Sequence, residues 1–146
     1  PLRLRRGPDW RDGDGGWNGD VVAPMIRDLG AALAMRPDGD RVRMVLSAQA
    51  GKAGPPMEGK DFHIGDLSWG ILPAAAPLGI STATVAGIAM AFAREGGDRV
   101  AVSFIGEGGS SLGVTTSMFT SVLVRVARRA RVSMCSWSAT ASKAKA

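Results

Sequence analysis

Cysteine, histidine and asparagine each occur once in this 146-residue chain, as Cys135, His63 and Asn18, and tyrosine is absent. A single cysteine excludes an internal disulfide and fits a reducing compartment, so the cytoplasm is the expected location. Long apolar runs are missing too. The longest candidate, Ile71 to Ala93, is interrupted by Pro73, Pro77 and Gly79 and falls short of a membrane-spanning helix. Acidic residues stop at Glu107: all 13 lie at or before it, while Arg125, Arg128, Arg129, Arg131, Lys143 and Lys145 follow Gly113. The net charge of +5 therefore belongs to the C-terminal tail, and the body of the chain is close to neutral. That tail offers no element suited to reading bases, so neither nucleic acid nor a membrane is an expected partner. In the lead-in, Asp9, Asp12 and Asp14 and the lack of serine argue against a transit peptide.

Glycine is abundant and unevenly placed. Val100, Ala101, Val102, Phe104 and Ile105 form an apolar run of the kind buried on both faces of a parallel sheet, and it stops on Gly106-Glu107-Gly108-Gly109-Ser110-Ser111. Glycines there let backbone amides approach a phosphate, the two serines are placed to open a helix, and a lone carboxylate suits a magnesium ion shared with phosphate oxygens. A strand-to-helix turn with a solvated acid at its tip fits the same local pattern. A Walker loop is excluded because no Gly-Lys-Ser/Thr closes the turn, and a dinucleotide fingerprint is excluded because serine stands at position 111. Gly51-Lys52-Ala53-Gly54 fails the same spacing and reads as a loop.

Periodicity organises the remainder. Val22, Ile26, Leu29 and Leu33 recur at helical steps, which predicts a helix over Val22 to Met35, ended by Arg36-Pro37-Asp38-Gly39-Asp40. Arg41 to Ala50 fits strand and helix equally, and Gly51 to Trp69 reads as a long loop. Ile80 to Arg94 is apolar or small on nearly every side, as in a buried helix that ends near Gly96-Gly97. A helix feeding a buried strand that ends in a glycine turn is an α/β pattern with its ligand at the carboxyl edge of the sheet.

Four ordered segments carry a resemblance: Gly59-Lys60-Asp61-Phe62-His63-Ile64-Gly65-Asp66, Ala76-Pro77-Leu78-Gly79, Ala86-Gly87-Ile88-Ala89-Met90-Ala91, and the Gly106 turn, with a weaker stretch from Asp20 to Gly30. In order and spacing they resemble the alpha subunit of thiamine-diphosphate-dependent 2-oxo acid dehydrogenases of the pyruvate, branched-chain and acetoin type. The resemblance implies a partial thiamine-diphosphate-binding fold, a mostly parallel sheet flanked by helices, over residues 20–113, after an irregular lead-in at 1–19. It implies oxidative decarboxylation of a 2-oxo acid with acyl transfer to lipoamide. Thiamine diphosphate and Mg2+ would be the cofactors, and a beta subunit and a lipoyl-bearing acyltransferase the partners, in a heterotetramer.

Residue by residue, Glu107 matches the metal-binding acid of the family's Gly-Asp-Gly signature, with glutamate standing as in branched-chain members. Gly106, Gly108, Gly109 and Ser110 belong to the same diphosphate turn. Arg27 matches an arginine that reaches the diphosphate, although a surface arginine would read alike. Ala76 and Leu78 match positions facing the aminopyrimidine, with core packing as the alternative for Leu78. His63 matches a histidine of the active-site approach. It is the one catalytic candidate, and a structural histidine is the alternative. Phe62, Trp69 and Trp10 read as packing residues. The glutamate that activates the aminopyrimidine comes from the beta subunit, so the chain alone should be inactive.

The tail departs from the family. Val114 to Ala146 has no asparagine where the family completes its metal site, and Val122 to Val132 mixes arginine with apolar residues without the family's pattern. From Ser136 the chain reads as unstructured low complexity. Residues 114–146 are expected to be an atypical, frame-shifted or disordered tail. The alternative function is a non-catalytic fragment or interaction domain that keeps part of the fold.

Overall fold

The structure, a computed structural model, describes residues 4–54, 58–60, 62–96, 98–113 and 132–137, the last six by backbone alone. Its centre is a parallel sheet of three strands in the order β1 (Val21–Ala23), β2 (Ala101–Gly106) and β3 (Val132–Trp137). Val21 lies opposite Ala101, and β2 runs beside β3 from Ala101↔Val132 to Gly106↔Trp137. On the outer side of β1, the Val22 amide donates to Gly70 O and the Leu72 amide to Val22 O, so one further rung covers that edge.

Helices cover both faces. On one, α3 (Ile80–Glu95) packs Val85, Ala86, Ala89 and Phe92 against Ala23 and Ala101. On the other, α1 (Leu29–Met35) places Ala32 and Met35 against Val22, Val100, Val102 and Ile71. Alternate residues of β2 thus enter different cores, which is why its run lacks polar alternation. Asp38 caps α2 (Gly39–Gln49), its Oδ1 accepting from the Arg41 amide at 2.7 Å. Gly79 and Gly96 bound α3 at φ 85° and 79°, a region glycine enters without strain. A 3-10 turn spans Pro8–Trp10 and another Leu67–Trp69.

Several expectations change. The helix expected over Val22 to Met35 is two elements: β1 ends where Pro24 removes a donor and favours extended backbone before it, and α1 begins only at Leu29. The ambiguous stretch Arg41 to Ala50 is helical. The helix expected to open at Ser110-Ser111 opens at Glu107 as the single turn α4 (Glu107–Ser110), with Gly106 in extended backbone before it. Ser136 and Trp137 belong to β3, so the low-complexity reading fails for those two residues. Residues 114–131 and 138–146 of the expected tail lie outside the described residues.

Candidate functional site at the carboxyl edge of the sheet

The turn between β2 and α4 forms the floor of the site. Glu107 is exposed, Gly108 has open space where a Cβ would stand, and Gly109 is buried with its would-be Cβ 3.2 Å from Ile105 Cγ1. The Ser110 hydroxyl donates to Glu107 O at 2.5 Å, and the Ser111 hydroxyl to Gly108 O at 2.9 Å. Both hydroxyls are thus turned back onto the turn and stiffen it.

Two arms reach this floor. The first is the turn between β1 and α1, in which the Asp28 amide donates to Met25 O and the Met25 amide to Asp28 Oδ2. It delivers Arg27, whose Nη2 lies 2.5 Å from the Cβ position of Gly106. A side chain at 106 would displace that guanidinium, which an exposed arginine allows at little cost, so this glycine matters for where Arg27 sits and not for backbone conformation. Among the described residues no carboxylate pairs with Arg27.

The second arm is the strap from Phe62 to Gly79. The Asp66 and Ile71 backbones exchange two hydrogen bonds, of 2.7 and 3.0 Å, and close a loop around the Leu67–Trp69 turn. The strap then runs along β1 and over the glycine turn. Leu78 ends there 60% exposed, its Cβ 4.0 Å from the Cβ position of Gly109. Ala76 is exposed just before it, and His63 is half-buried at the strap's entrance.

Behind both arms lies a charged cluster. Asp66 Oδ2 accepts from Arg36 Nη1 at 3.1 Å and pairs with Arg41 Nη2 at 3.5 Å, while Ser68 Oγ donates to Oδ1 at 2.7 Å. Arg36 also donates to Asp38 at 2.6 Å, and its guanidinium stacks on the Trp69 ring at 5.1 Å. The hydrogen bond to Asp38 is the first reason that the Arg36 pKa is raised, and the same bond holds Asp38 below the usual carboxylate range. Arg41 has no solvent exposure. Burial pushes its pKa down against the attraction of Asp66, and both its Nε and its Nη2 lack a hydrogen bond, the approach to Asp66 being an ion pair alone.

No group of three or more His, Cys, Asp or Glu side chains is placed to hold a metal among the described residues. The chemistry of the turn fits a different arrangement, in which one exposed carboxylate shares a hard cation with phosphate oxygens beside a guanidinium that has no carboxylate partner among the described residues and donates only to Met25 Sδ, at 3.7 Å. A model of the family described as dehydrogenase E1 component matches residues 15–125, which is three quarters of the chain. The chain belongs to the dehydrogenase E1 component family. No curated protein matches it. The matched span of this E1 component holds both arms and the turn. Of the residues singled out in the sequence, the structure gathers Arg27, Leu78 and Gly106 to Ser110 at one edge and sets Ala76 on the same strap. Asp66, Arg36 and Arg41 were not singled out. The one signal for them was a carboxylate inside the Gly59 to Asp66 segment, with nothing local to indicate its partners.

Proposed function

We propose that the chain is the alpha-subunit part of a thiamine-diphosphate-dependent 2-oxo acid dehydrogenase, with the diphosphate and Mg2+ bound at the Gly106 to Ser110 turn. The observation that carries this reading is the exposed Arg27 guanidinium, which has no carboxylate partner among the described residues and donates only weakly to Met25 Sδ, held against Gly106 beside the exposed Glu107. Arg27 would bind diphosphate oxygens in a fork, Glu107 would hold the metal, and the open face of Gly108 lets a ligand lie against backbone. Ala76 and Leu78, exposed on the strap, would meet the aminopyrimidine and exclude water from it, and His63 stands on the approach. When bound, the cofactor supplies the electron sink for decarboxylation. A beta subunit would contribute the remaining proton-handling groups and a lipoyl-bearing acyltransferase would accept the acyl group, in the cytoplasm.

Calorimetric titration with thiamine diphosphate and Mg2+ tests this. Losing one charge-assisted contact costs about 1.5–3 kcal/mol, so Arg27→Ala or Glu107→Ala should weaken binding about tenfold or more. Equal affinity in both variants removes the turn as the site. A second reading, a non-catalytic fragment, is favoured by one observation: Asn18 is the sole asparagine, and none follows Gly113. Absence of any cofactor binding by the parent chain would support it.

A further inference from the structure

Arg27 and Leu78 are far apart in sequence, yet both arms that carry them are fastened at one residue, Asp66. Arg36 stands at the C-terminal end of α1, whose other end follows Arg27. Asp66 accepts from Arg36 and so ties the far end of the first arm. The same residue closes the second arm through its two backbone bonds to Ile71, from which the strap proceeds to Ala76 and Leu78. The ion pair with Arg41 roots the junction in α2. Three features constrain the junction. Its carboxylate engages three side chains, one of them the fully buried Arg41. Trp69 lies against the guanidinium groups of both Arg36 and Arg11, at 5.1 and 5.4 Å. Gly65 passes so close to Pro73 that a Cβ would stand 2.6 Å from Pro73 N. The junction is half-buried at Asp66 and Arg36 and fully buried at Arg41, so turning the Asp66 carboxylate away would leave the buried Arg41 charge without its counter-ion.

We propose that Asp66 is a positioning residue that sets the separation between Leu78 and the glycine turn and, through Arg36 and α1, the placement of Arg27. It touches no ligand itself. Its relevance to cofactor binding rests on the function proposed above, whereas its effect on geometry does not, and two measurements separate these.

The first needs no cofactor. A Cβ separation of 4.0 Å between Leu78 and Gly109 falls within the range that a disulfide bridges, so Leu78→Cys with Gly109→Cys, in a Cys135→Ser background, reports their distance by its rate of oxidation. We expect the pair to cross-link in the parent and at least about tenfold more slowly with Asp66→Asn. Arg36→Ala, which leaves the Asp66 to Arg41 pair in place, should slow it by an intermediate factor and decides the matter if Asp66→Asn does not fold. Val45→Ala, a core truncation in α2, serves as control: it should lower the urea midpoint without changing the cross-linking rate. Equal rates in the parent, Asp66→Asn and Arg36→Ala, or a Val45→Ala rate that falls as far as theirs, would overturn the proposal.

The second is titration of the unmodified chain with thiamine diphosphate and Mg2+, where Arg36→Ala should lower affinity several-fold at unchanged secondary structure. Unchanged affinity overturns the link to the cofactor. If the parent does not bind, the proposed function fails, and the cross-linking rates alone decide the positioning role.

Discussion

Two carboxylates at opposite ends of the sheet are used in opposite ways. Asp20, beside the start of β1, is 2% exposed and accepts the amides of Arg5 and Val100, each at 2.6 Å. Trp17 closes over it, its indole donating to Asp20 O, and Gly70 admits that ring at φ 68° where a Cβ would overlap it. Glu107, just past the end of β2, is exposed and its carboxylate accepts no hydrogen bond among the described residues. Buried polar groups that satisfy one another fix a fold, whereas polar groups left open at the carboxyl edge of a parallel sheet are available to a ligand. The amino edge holds the chain together, and the carboxyl edge, where we propose the ligand binds, leaves its carboxylate open.

The largest effect expected from breaking this contrast is at Asp20. Asp20→Ala strands two buried amides, each worth about 1–3 kcal/mol, so chemical denaturation should show a loss of roughly 2–5 kcal/mol, with Asp20→Asn less damaging. Gly70→Ala comes next. It adds left-handed backbone strain to a clash with Trp17 and should cost more than about 2 kcal/mol by the same measurement. At the opposite edge the ranking between stability and binding reverses. Gly106→Ala should leave the denaturation midpoint within the range of about 0.5 kcal/mol typical of surface changes while displacing Arg27 and weakening cofactor binding. Leu78→Ala, at an exposed position, should do the same to a smaller degree. The smallest effect is on pH dependence. Asp38 has a lowered folded pKa, so its contribution is complete above the ordinary carboxylate range and is lost as pH falls through that lowered value. Asp38→Asn should flatten this acid limb of stability while keeping an acceptor oxygen for the α2 cap.

The sequence made the carboxyl edge legible and the junction behind it illegible, for physical reasons. The run Val100 to Ile105 is buried almost throughout, so composition alone exposes it, and it appears as β2. Ile80 to Arg94 appears as α3 with one face only buried, through Thr82, Val85, Ala86, Ala89 and Phe92, and with Ile80 and Met90 exposed, so the expectation of an all-round buried helix fails. The glycine turn is marked by its own residues. Val22 to Met35 misled because a strand and a helix happen to continue one helical period across Pro24, and the proline was the better guide. In α2 polarity is inverted: charged Arg41 is fully buried, whereas Leu46 is 62% exposed. No periodicity argument recovers that, because the burial of Arg41 depends on a carboxylate supplied by the distant strap. The sequence allows Leu78 either ligand contact or core packing, and at 60% exposure it is not a core residue.

The bond from the Val100 amide to Asp20 joins residues 80 positions apart, and among the described residues β1 pairs with β2 and with the Ile71 rung, both made much later in the chain. Closing so long a loop before any sheet contact forms carries an entropic cost that local helices do not share. Refolding is therefore expected to be slow for a domain of this size, with α3 helical early and the Val22 and Ala23 edge the last to be protected. During synthesis, β1 must wait for β2 to emerge, and for that interval its apolar residues are open to other chains.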